Sequence, residues 1–403
     1  MKKMNVEKWN HQKIGEEMEL FMSSESAPGM PFFLPNGMII RNELENHWKR
    51  KHHLSGYQEI KTPIMLKQDL WEQSGHWEHY QENMYYSNVD DKSYCIKPMN
   101  CPGAILVYNR KPHSYRELPL KYAELGQVHR HELSGSLNGL FRVRSFTQDD
   151  AHLFVRDDQL AEELHLVLSL MEEFYQLFGF SYKVELSTRP EHFLGSIDRW
   201  ERAEAALESV LVQNELTFEV NKGDGAFYGP KIDFHILDSL GRSWQCGTIQ
   251  LDFQMPEKFG CTYIDSNQIH QTPILIHRAI YGSLERFFGI LIEHYQGKFP
   301  LWLSPIQTRI LPIAERHNEY ADKLKLSLES AGFRVDIDDR SEKLGLKIRE
   351  AEKQRIPYMV TIGDKEIEHN QLSIRLRGTG KAETSTLHTF IQDRLNELAP
   401  YQI

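Results

Sequence analysis

The sequence predicts an α+β fold, with an antiparallel sheet flanked by helices and then a small α/β domain. Before Pro300 and Pro305, amphipathic segments lie between neighbouring strand-like runs, as is typical of an antiparallel sheet with helices packed on it. After these prolines the pattern alternates strand, helix, strand, helix, strand, which indicates an α/β unit with a mostly parallel sheet. Because the prolines interrupt the pattern, we expect two domains, residues 1–300 and 304–403.

The individual elements follow from the spacing of apolar residues. In the first domain, helical spacing predicts helices over 38–53, 159–177 and 203–214. Runs of apolar and β-branched residues predict strands within 181–188, 233–239, 243–253 and 262–267. In the second domain the same criteria predict helices over 319–331, 344–354 and 387–398, and strands within 309–315, 333–339, 358–364 and 372–378.

The composition is that expected of a cytoplasmic protein that does not enter a membrane. Hydrophobic residues make up 40% of the chain, but no apolar run approaches the roughly 20 residues that a membrane-spanning helix needs. Four cysteines in 403 residues are too few for a disulfide framework, so we expect reduced thiols. The net charge of −10 argues against a protein that simply coats nucleic acid.

Three short motifs stand out along the chain. The first is a predicted helix followed by a predicted strand, and the strand ends at Pro63. The second is RHE at 130–132, followed by a loop and FTQDD at 146–150. The third is GSLER at 282–286, which opens a predicted helix. A Gly-x-x-x-x-Gly-Lys-Ser/Thr loop is absent from the sequence, which excludes a P-loop nucleotide site.

Three longer sequence segments contain or lie near these motifs: KPMNCPG at 97–103, SFTQDDAHLF at 145–154 and ILIHRAIYGSLERF at 274–287. Together with the motifs, they resemble the catalytic core of bacterial threonyl-tRNA synthetases, a family of class II aminoacyl-tRNA synthetases. The resemblance runs from about Asn10 to the C-terminus. It implies the antiparallel sheet of class II synthetases, flanked by helices, and a small α/β anticodon-binding domain after it.

The resemblance implies an enzyme that joins threonine to ATP as threonyl-adenylate, releases pyrophosphate and passes threonine to tRNA(Thr). Arg130 would bridge the α-phosphate of ATP and the carboxylate of the amino acid, since a planar guanidinium binds such groups bidentately. Glu132 would accept a hydrogen bond from the adenine amino group, and Phe146 would stack on the adenine ring. Arg142 and Arg286, with Mg²⁺ on the phosphates, would stabilise the developing charge.

The resemblance also implies one zinc ion held by Cys101, His152 and His277, which lie too far apart in sequence for spacing alone to link them. Three protein ligands leave zinc an open position, which the amino acid fills in the family with its amino group and β-hydroxyl. A site that requires this hydroxyl rejects valine by about 10⁴–10⁵-fold, whereas an apolar pocket achieves only about 10². The other threonine contacts would come from Asp150 for the hydroxyl, Gln148 for the carboxylate and Tyr228 for the amine.

The expected partners are tRNA(Thr) and a second copy of the chain. In the family, the segment around Pro63 builds a homodimer, and the domain at 304–403 binds the anticodon. The basic stretch 340–355 would meet tRNA phosphates, among others through Lys347 and Lys353. On charge alone this stretch is interpreted as a solvated helix face, because glutamates interleave with the basic residues. The match to the family favours tRNA.

The sequence also departs from the family pattern. Ala104, Asn138 and Ser145 replace residues common in the family, which predicts a changed wall of the active site. The resemblance begins at the catalytic core, so we expect the family's editing region to be missing and some serine to be mischarged, since one methyl group is worth only about 1–3 kcal/mol. Two alternatives remain open. One is a specialised paralogue that tolerates an inhibitor or activates threonine for another acceptor, and the other is a catalytically silent regulatory protein.

Overall fold

The computed structural model describes residues 10–239 and 241–401. The chain divides into two compact units. One unit comprises Glu25–Met30 and Lys51–Ile290, and the other combines Pro31–Arg50 and Leu291–Ile403 with the segment that ends at Ser24. None of the helices in the described residues is long and apolar enough to cross a membrane.

The described residues contain helices that match most of the predicted ones within a few residues. The helices are α1 His11–Glu17, α2 Pro35–Leu54, α3 Gln68–Ser74, α4 His76–Tyr80, α5 Cys101–Tyr108, α6 Leu160–Phe178, α7 Ile197–Gln213, α8 Met255–Lys258, α9 Leu284–His294, α10 Asn318–Ser330, α11 Leu344–Lys353, α12 Asp364–His369 and α13 Leu387–Leu398.

The strands build one large sheet, one medium sheet and several small ones. They are β1 Phe21–Met22, β2 Phe32–Phe33, β3 Gln58–Glu59, β4 Met65–Lys67, β5 Tyr85–Val89, β6 Lys92–Ile96, β7 Leu120–His129, β8 Ser145–Val155, β9 Ser181–Ser187, β10 Phe218–Asn221, β11 Lys231–Leu237, β12 Ser243–Asp252, β13 Tyr263–Ile264, β14 His270–Gln271, β15 Ile274–Ser283, β16 Thr308–Pro312, β17 Val335–Ile337, β18 Tyr358–Ile362, β19 Leu372–Leu376 and β20 Ala382–Ser385.

The large sheet lies within the unit that contains Lys51–Ile290. Its eight strands follow the order β10-β9-β11-β12-β15-β8-β7-β3. All pairings from β9 to β7 are antiparallel, and only the two outermost pairings are parallel. Helix α6 packs on this sheet, since a side chain at Gly247 of β12 would collide with Met171 and Tyr175. The predicted α+β fold with an antiparallel sheet is therefore confirmed.

Helix α6 shows why the helix predictions succeeded. Its apolar residues recur at three- and four-residue spacing, and ten of its residues are buried, so one face of the helix packs into the core. The helix ends at Gly179, whose φ of 72° is left-handed and favours glycine. The predicted range, 159–177, differs from the observed one by a single residue at each end.

The medium sheet lies in the other unit and corrects one expectation. Strand β16 pairs in parallel with β17 and β18, but β18–β19 and β19–β20 are antiparallel. The prediction of a mostly parallel sheet is therefore wrong for its second half. The cause is the short connection between β18 and β19, which contains only the six-residue helix α12, whereas a parallel crossover needs a dozen or more residues.

The strand expected to end at Pro63 is much shorter than predicted. Helix α2 leads into β3, which has only two residues and pairs in parallel with β7. Pro63 lies beyond the end of β3 and is exposed, as are the neighbouring apolar residues Ile64 and Met65.

Lys347 in the basic stretch 340–355 is buried rather than solvated, with 2% of its surface exposed. Its Nζ donates hydrogen bonds to the carbonyl oxygens of Pro312, at 3.0 Å, and Asp338, at 2.8 Å. The expectation that Lys347 meets tRNA phosphates is therefore wrong, because its ammonium group instead joins the ends of β16 and β17. Lys343, Arg349 and Lys353 of the same stretch are exposed.

Candidate active site and metal centre

A row of polar side chains crosses the large sheet. In the antiparallel register, Tyr122 of β7 lies opposite His152 of β8, which lies opposite His277 of β15, which lies opposite Gln250 of β12. Directly opposite residues point to the same face of a sheet. The pairing of the strands therefore brings His152 and His277 together although 125 residues separate them in the sequence, and their ring centroids are 5.0 Å apart.

Cys101 completes a cluster with the two histidines. It is the first residue of α5, and its sulfur and the histidine nitrogens all lie within 4.8 Å of one another. All three side chains are buried, and residues 10–239 and 241–401 contain no other such group of histidine, cysteine and carboxylate ligands. His152 Nε2 is buried and has no hydrogen-bond partner, while His277 lies beside the sulfur of Cys101. A thiolate and two imidazoles with free lone pairs fit a zinc ion that keeps one open position.

Asp252, which sequence reasoning missed, orients one of these ligands. Its carboxylate is fully buried and lies 3.0 Å from Nε2 of His277. A proton on Nε2 that is donated to Asp252 leaves the lone pair of Nδ1 for a metal, and such a second partner is the usual way to fix a ligating imidazole. No local motif marks Asp252, but it lies two residues after Gln250 and so on the same face of β12.

A cleft with a cavity volume of about 370 Å³ adjoins the metal cluster. Of the predicted site residues, it is lined by Cys101, Arg130, Gln148, Asp150, Tyr228 and His277. Tyr228 donates a hydrogen bond to Gln250 at 2.7 Å, and Asp150 accepts one from Asn100 at 3.0 Å. Burial raises the pKa values of Asp150 and Tyr228 above their ordinary range.

A second cleft of about 210 Å³ shares five lining residues with the first: Arg130, Gln148, Cys246, Thr248 and Gly282. All five residues predicted to contact ATP line it: Arg130, Glu132, Arg142, Phe146 and Arg286. The structure thus places the predicted threonine contacts and the predicted ATP contacts in two neighbouring clefts that meet at Arg130.

The side chains of the second cleft already hold one another in place. The guanidinium group of Arg130 lies 5.2 Å from the ring centroid of Phe146, and its Nε donates to the carbonyl of Pro98 at 3.1 Å. Arg142 forms an ion pair with Glu132 at 2.8 Å. The two predicted ATP contacts Glu132 and Arg142 therefore contact each other directly within the lining of the cleft.

Two buried carboxylates that sequence reasoning missed position Arg286. Asp149 accepts hydrogen bonds of 2.9–3.0 Å from the backbone N–H groups of Ile280, Tyr281 and Gly282. Glu285 accepts one from the backbone N–H of Thr147 at 2.8 Å. These bonds tie β8 to the start of α9, where Arg286 lies. Burial raises the pKa of Asp149 to about 7.

The three departures from the family pattern lie outside the clefts. Ala104 is fully buried in α5, Ser145 accepts a hydrogen bond from Gln127 at 3.2 Å, and the backbone N–H of Asn138 donates to the carbonyl of Arg142 at 3.1 Å. None of the three lines either cleft. The prediction of a changed active-site wall therefore does not extend to the residues that line these two clefts.

Two known protein families match separate parts of the chain. The family model of the tRNA synthetase class II core domain (G, H, P, S and T) matches residues 85–295. The model of an anticodon binding domain matches residues 307–394.

The chain is also similar to curated and solved proteins. It is 58% identical over 393 residues to the threonine–tRNA ligase of Carboxydothermus hydrogenoformans, which covers 98% of this chain and 62% of that protein. It is 56% identical to the threonine–tRNA ligase of Caldanaerobacter subterraneus subsp. tengcongensis, covering 98% and 61%. The chain thus spans about three fifths of the length of these relatives.

A solved structure matches over nearly the full length of both chains. It is the crystal structure of the RNA binding domain of threonyl-tRNA synthetase from Cryptosporidium parvum, with 40% identity and a TM-score of 0.93, covering 96% of this chain and 98% of that one. The core-domain model alone matches more than half of the chain. The chain therefore belongs to the class II aminoacyl-tRNA synthetases, within the threonyl-tRNA synthetase family.

Proposed function

We propose that this chain is a threonine–tRNA ligase, which activates threonine with ATP and transfers it to the 3′ end of tRNA(Thr). The observation that carries the proposal is the pair of clefts that meet at Arg130 and Gln148. A carboxylate in the first cleft can attack an α-phosphate in the second only where the two clefts meet. The relatives named threonine–tRNA ligase support the choice of amino acid.

The activation step needs alignment and charge stabilisation rather than a protein nucleophile. Arg130 lies at the junction, where its guanidinium can bind the threonine carboxylate and the α-phosphate together. Arg286 would bind the outer phosphates, which carry Mg²⁺ in this proposal. Phe146 would stack on adenine and Glu132 would accept its amino group, while Arg142, released from Glu132, would reach the phosphates.

Threonine selection would depend on Cys101, His152 and His277 as the ligands of one zinc ion. When bound there, zinc supplies a Lewis-acidic position that can hold an amino group and a neighbouring hydroxyl together. Asp150 would accept a hydrogen bond from the hydroxyl, while Gln148 and Tyr228 would hold the carboxylate and the amine. Valine lacks the hydroxyl and would leave buried Asp150 with the hydrogen bond from Asn100 but without the one from the substrate, which is the basis for its rejection.

We propose that residues 304–403 bind the anticodon and residues 1–300 form the catalytic domain. The match to an anticodon binding domain supports the first part. A crevice of about 660 Å³ lies beside the carboxyl ends of β16 and β17, lined among others by Asn318, Arg340 and Lys343. Ligands of α/β sheets commonly bind at this edge, and unstacked bases are the usual targets of sequence-specific RNA recognition.

Replacing Lys343, Arg349 and Lys353 by glutamine should weaken tRNA binding and reduce its salt dependence by up to about one unit of slope for each lost phosphate contact. Threonine-dependent pyrophosphate exchange should stay unchanged, because these exposed residues lie far along the chain from the proposed catalytic ones. The matched control replaces Lys323 of α10, which is exposed, together with Lys325, which is partly exposed. Equal effects of the two variants on the salt slope would contradict the proposed tRNA surface.

We propose a homodimer through the segment around Pro63. The exposed apolar side chains of Ile64 and Met65, 42% and 47% accessible, support an interface there, and a two-fold symmetric contact is the commonest form of homodimer. Light scattering should therefore give twice the chain mass of 47.3 kDa, and Ile64→Asp should lower it. A wild-type mass equal to one chain would refute the dimer.

The proposed ligase is tested by charging of tRNA(Thr) with threonine, using the purified full chain. We expect the purified protein to charge tRNA(Thr). We also propose a cytoplasmic location, where the four free and buried cysteines remain reduced. A catalytically silent protein would show none. A paralogue that serves another acceptor would exchange pyrophosphate with threonine but leave tRNA uncharged, and one that tolerates an inhibitor would keep charging in its presence.

A further inference from the structure

An irregularity in the large sheet places two polar side chains beside the second cleft. Strands β11 and β12 pair regularly from Lys231 to Phe234, but His235 lies opposite Gln245 instead of Cys246. Cys246 is therefore an extra residue, and the bulge turns Gln245 to the face that Thr248 also occupies. Gln245 lines the proposed ATP cleft, and Thr248 lines this cleft where it meets the first one.

The buried carboxylate of Asp233 engages the hydrogen-bond donors of both side chains. Asp233 is 2% exposed, and its Oδ1 accepts from Nε2 of Gln245 at 2.8 Å and from Oγ1 of Thr248 at 2.9 Å. Its Oδ2 forms an ion pair with Lys231 at 2.8 Å and accepts from Ser187 at 3.4 Å. Four donors thus surround Asp233, so its orientation is fixed from several sides.

The direction of these bonds determines what the two side chains can offer to a ligand. The amide nitrogen of Gln245 and the hydroxyl proton of Thr248 are directed to Asp233. The amide oxygen of Gln245 and the free lone pair of Thr248 remain, and both are acceptors. This part of the cleft therefore suits a ligand group that donates hydrogen bonds and does not suit phosphate. The arginines that suit phosphate, Arg142 and Arg286, line the same cleft.

We infer that Asp233 is a positioning residue that makes this cleft selective for the ribose hydroxyls of a nucleoside triphosphate. Adenine and the phosphates have assigned partners in the proposed function, and the ribose hydroxyls are the donors that remain. The inference rests on the proposed ATP site. It adds that Asp233, which does not line the cleft, distinguishes ribonucleotides from deoxyribonucleotides by holding Gln245 and Thr248 in one hydrogen-bonding direction.

The test is equilibrium binding of ATP, 2′-deoxy-ATP and 3′-deoxy-ATP to the full chain, which does not depend on threonine activation. Wild-type protein should bind ATP about tenfold more tightly than at least one deoxynucleotide, as expected for one hydrogen bond in a site built around it. In Asp233→Asn an amide replaces the carboxylate that accepts from Gln245 and Thr248, so the two side chains are no longer held in one hydrogen-bonding direction. The variant should therefore bind ATP and that deoxynucleotide about equally. The affinity for that deoxynucleotide should stay within roughly a factor of two.

Thr248→Val keeps the shape of the side chain and removes its hydroxyl, so it serves as a second variant that leaves Asp233 in place. It should reduce the same preference, and the Asp233→Asn, Thr248→Val double variant should lose no more than Asp233→Asn alone. Equal weakening of all three nucleotides by Asp233→Asn would show a purely structural role and overturn the inference. So would a wild-type protein without any preference. Absence of ATP binding to wild-type protein would overturn the proposed function itself.

Discussion

Arg286→Ala should lower threonine-dependent pyrophosphate exchange by about two orders of magnitude or more. Removing one preorganised donor from a site of developing charge costs roughly 3 kcal/mol, and each 1.4 kcal/mol is a factor of ten in rate. Arg286 is preorganised, because its Nε donates to the carbonyl of Phe141 at 3.0 Å and its Nη1 to that of Gln245 at 3.2 Å. Arg130→Ala should have an effect of the same size, since Arg130 lines both clefts.

The matched control is Arg202→Ala. Arg202 lies on α7, is 61% exposed and forms an ion pair with Asp157, so its loss should leave exchange and folding unchanged. Thermal melting should show that the Arg130 and Arg286 variants remain folded. Near-normal exchange in a folded Arg286→Ala protein would contradict the phosphate role assigned to this residue.

Cys101→Ala should abolish binding of the single zinc ion predicted for each chain. The thiolate is the softest of the three proposed ligands, and two buried imidazoles alone leave the site without its negative charge. Zinc content after dialysis should fall from about one per chain to near zero. Activation of threonine should fall with it, because the amino group and the hydroxyl lose their shared binding position.

Cys95→Ala is the control for this experiment. Cys95 is fully buried beside Trp71 and Met84, and burial raises the pKa of its thiol to about 11, so it stays protonated and a poor ligand. That variant should keep its zinc. Full zinc occupancy in Cys101→Ala would refute the metal centre as we assign it.

The sequence was sufficient for the features that depend on local patterns. Helix α6 was predicted to within one residue at each end, because its apolar face and its terminal Gly179 are local signals. The alternation of strands and helices likewise predicted the fold class. Only the resemblance to the family predicted that Cys101, His152 and His277 form one site. The residues of β8 and β15 do not by themselves indicate the register in which the two strands pair.

Other features depend on tertiary contacts that no local pattern encodes. Lys347 looked like one of several solvated basic residues, but the carbonyls at the ends of β16 and β17 hold its ammonium group in the interior. No role was predicted for Asp149, because its partners are three backbone N–H groups more than 130 residues away in the sequence. The bulge at Cys246 is visible only once β11 and β12 are paired.

The most direct test of the central claim is pyrophosphate exchange by the purified full chain with threonine, serine and valine in parallel. We expect strong exchange with threonine and weaker exchange with serine, which lacks only a methyl group worth about 1–3 kcal/mol. Valine should be rejected by roughly 10⁴-fold or more, because it cannot supply the hydroxyl that the metal centre and Asp150 require. No threonine-dependent exchange, or exchange with valine within about 10²-fold of threonine, would contradict this claim.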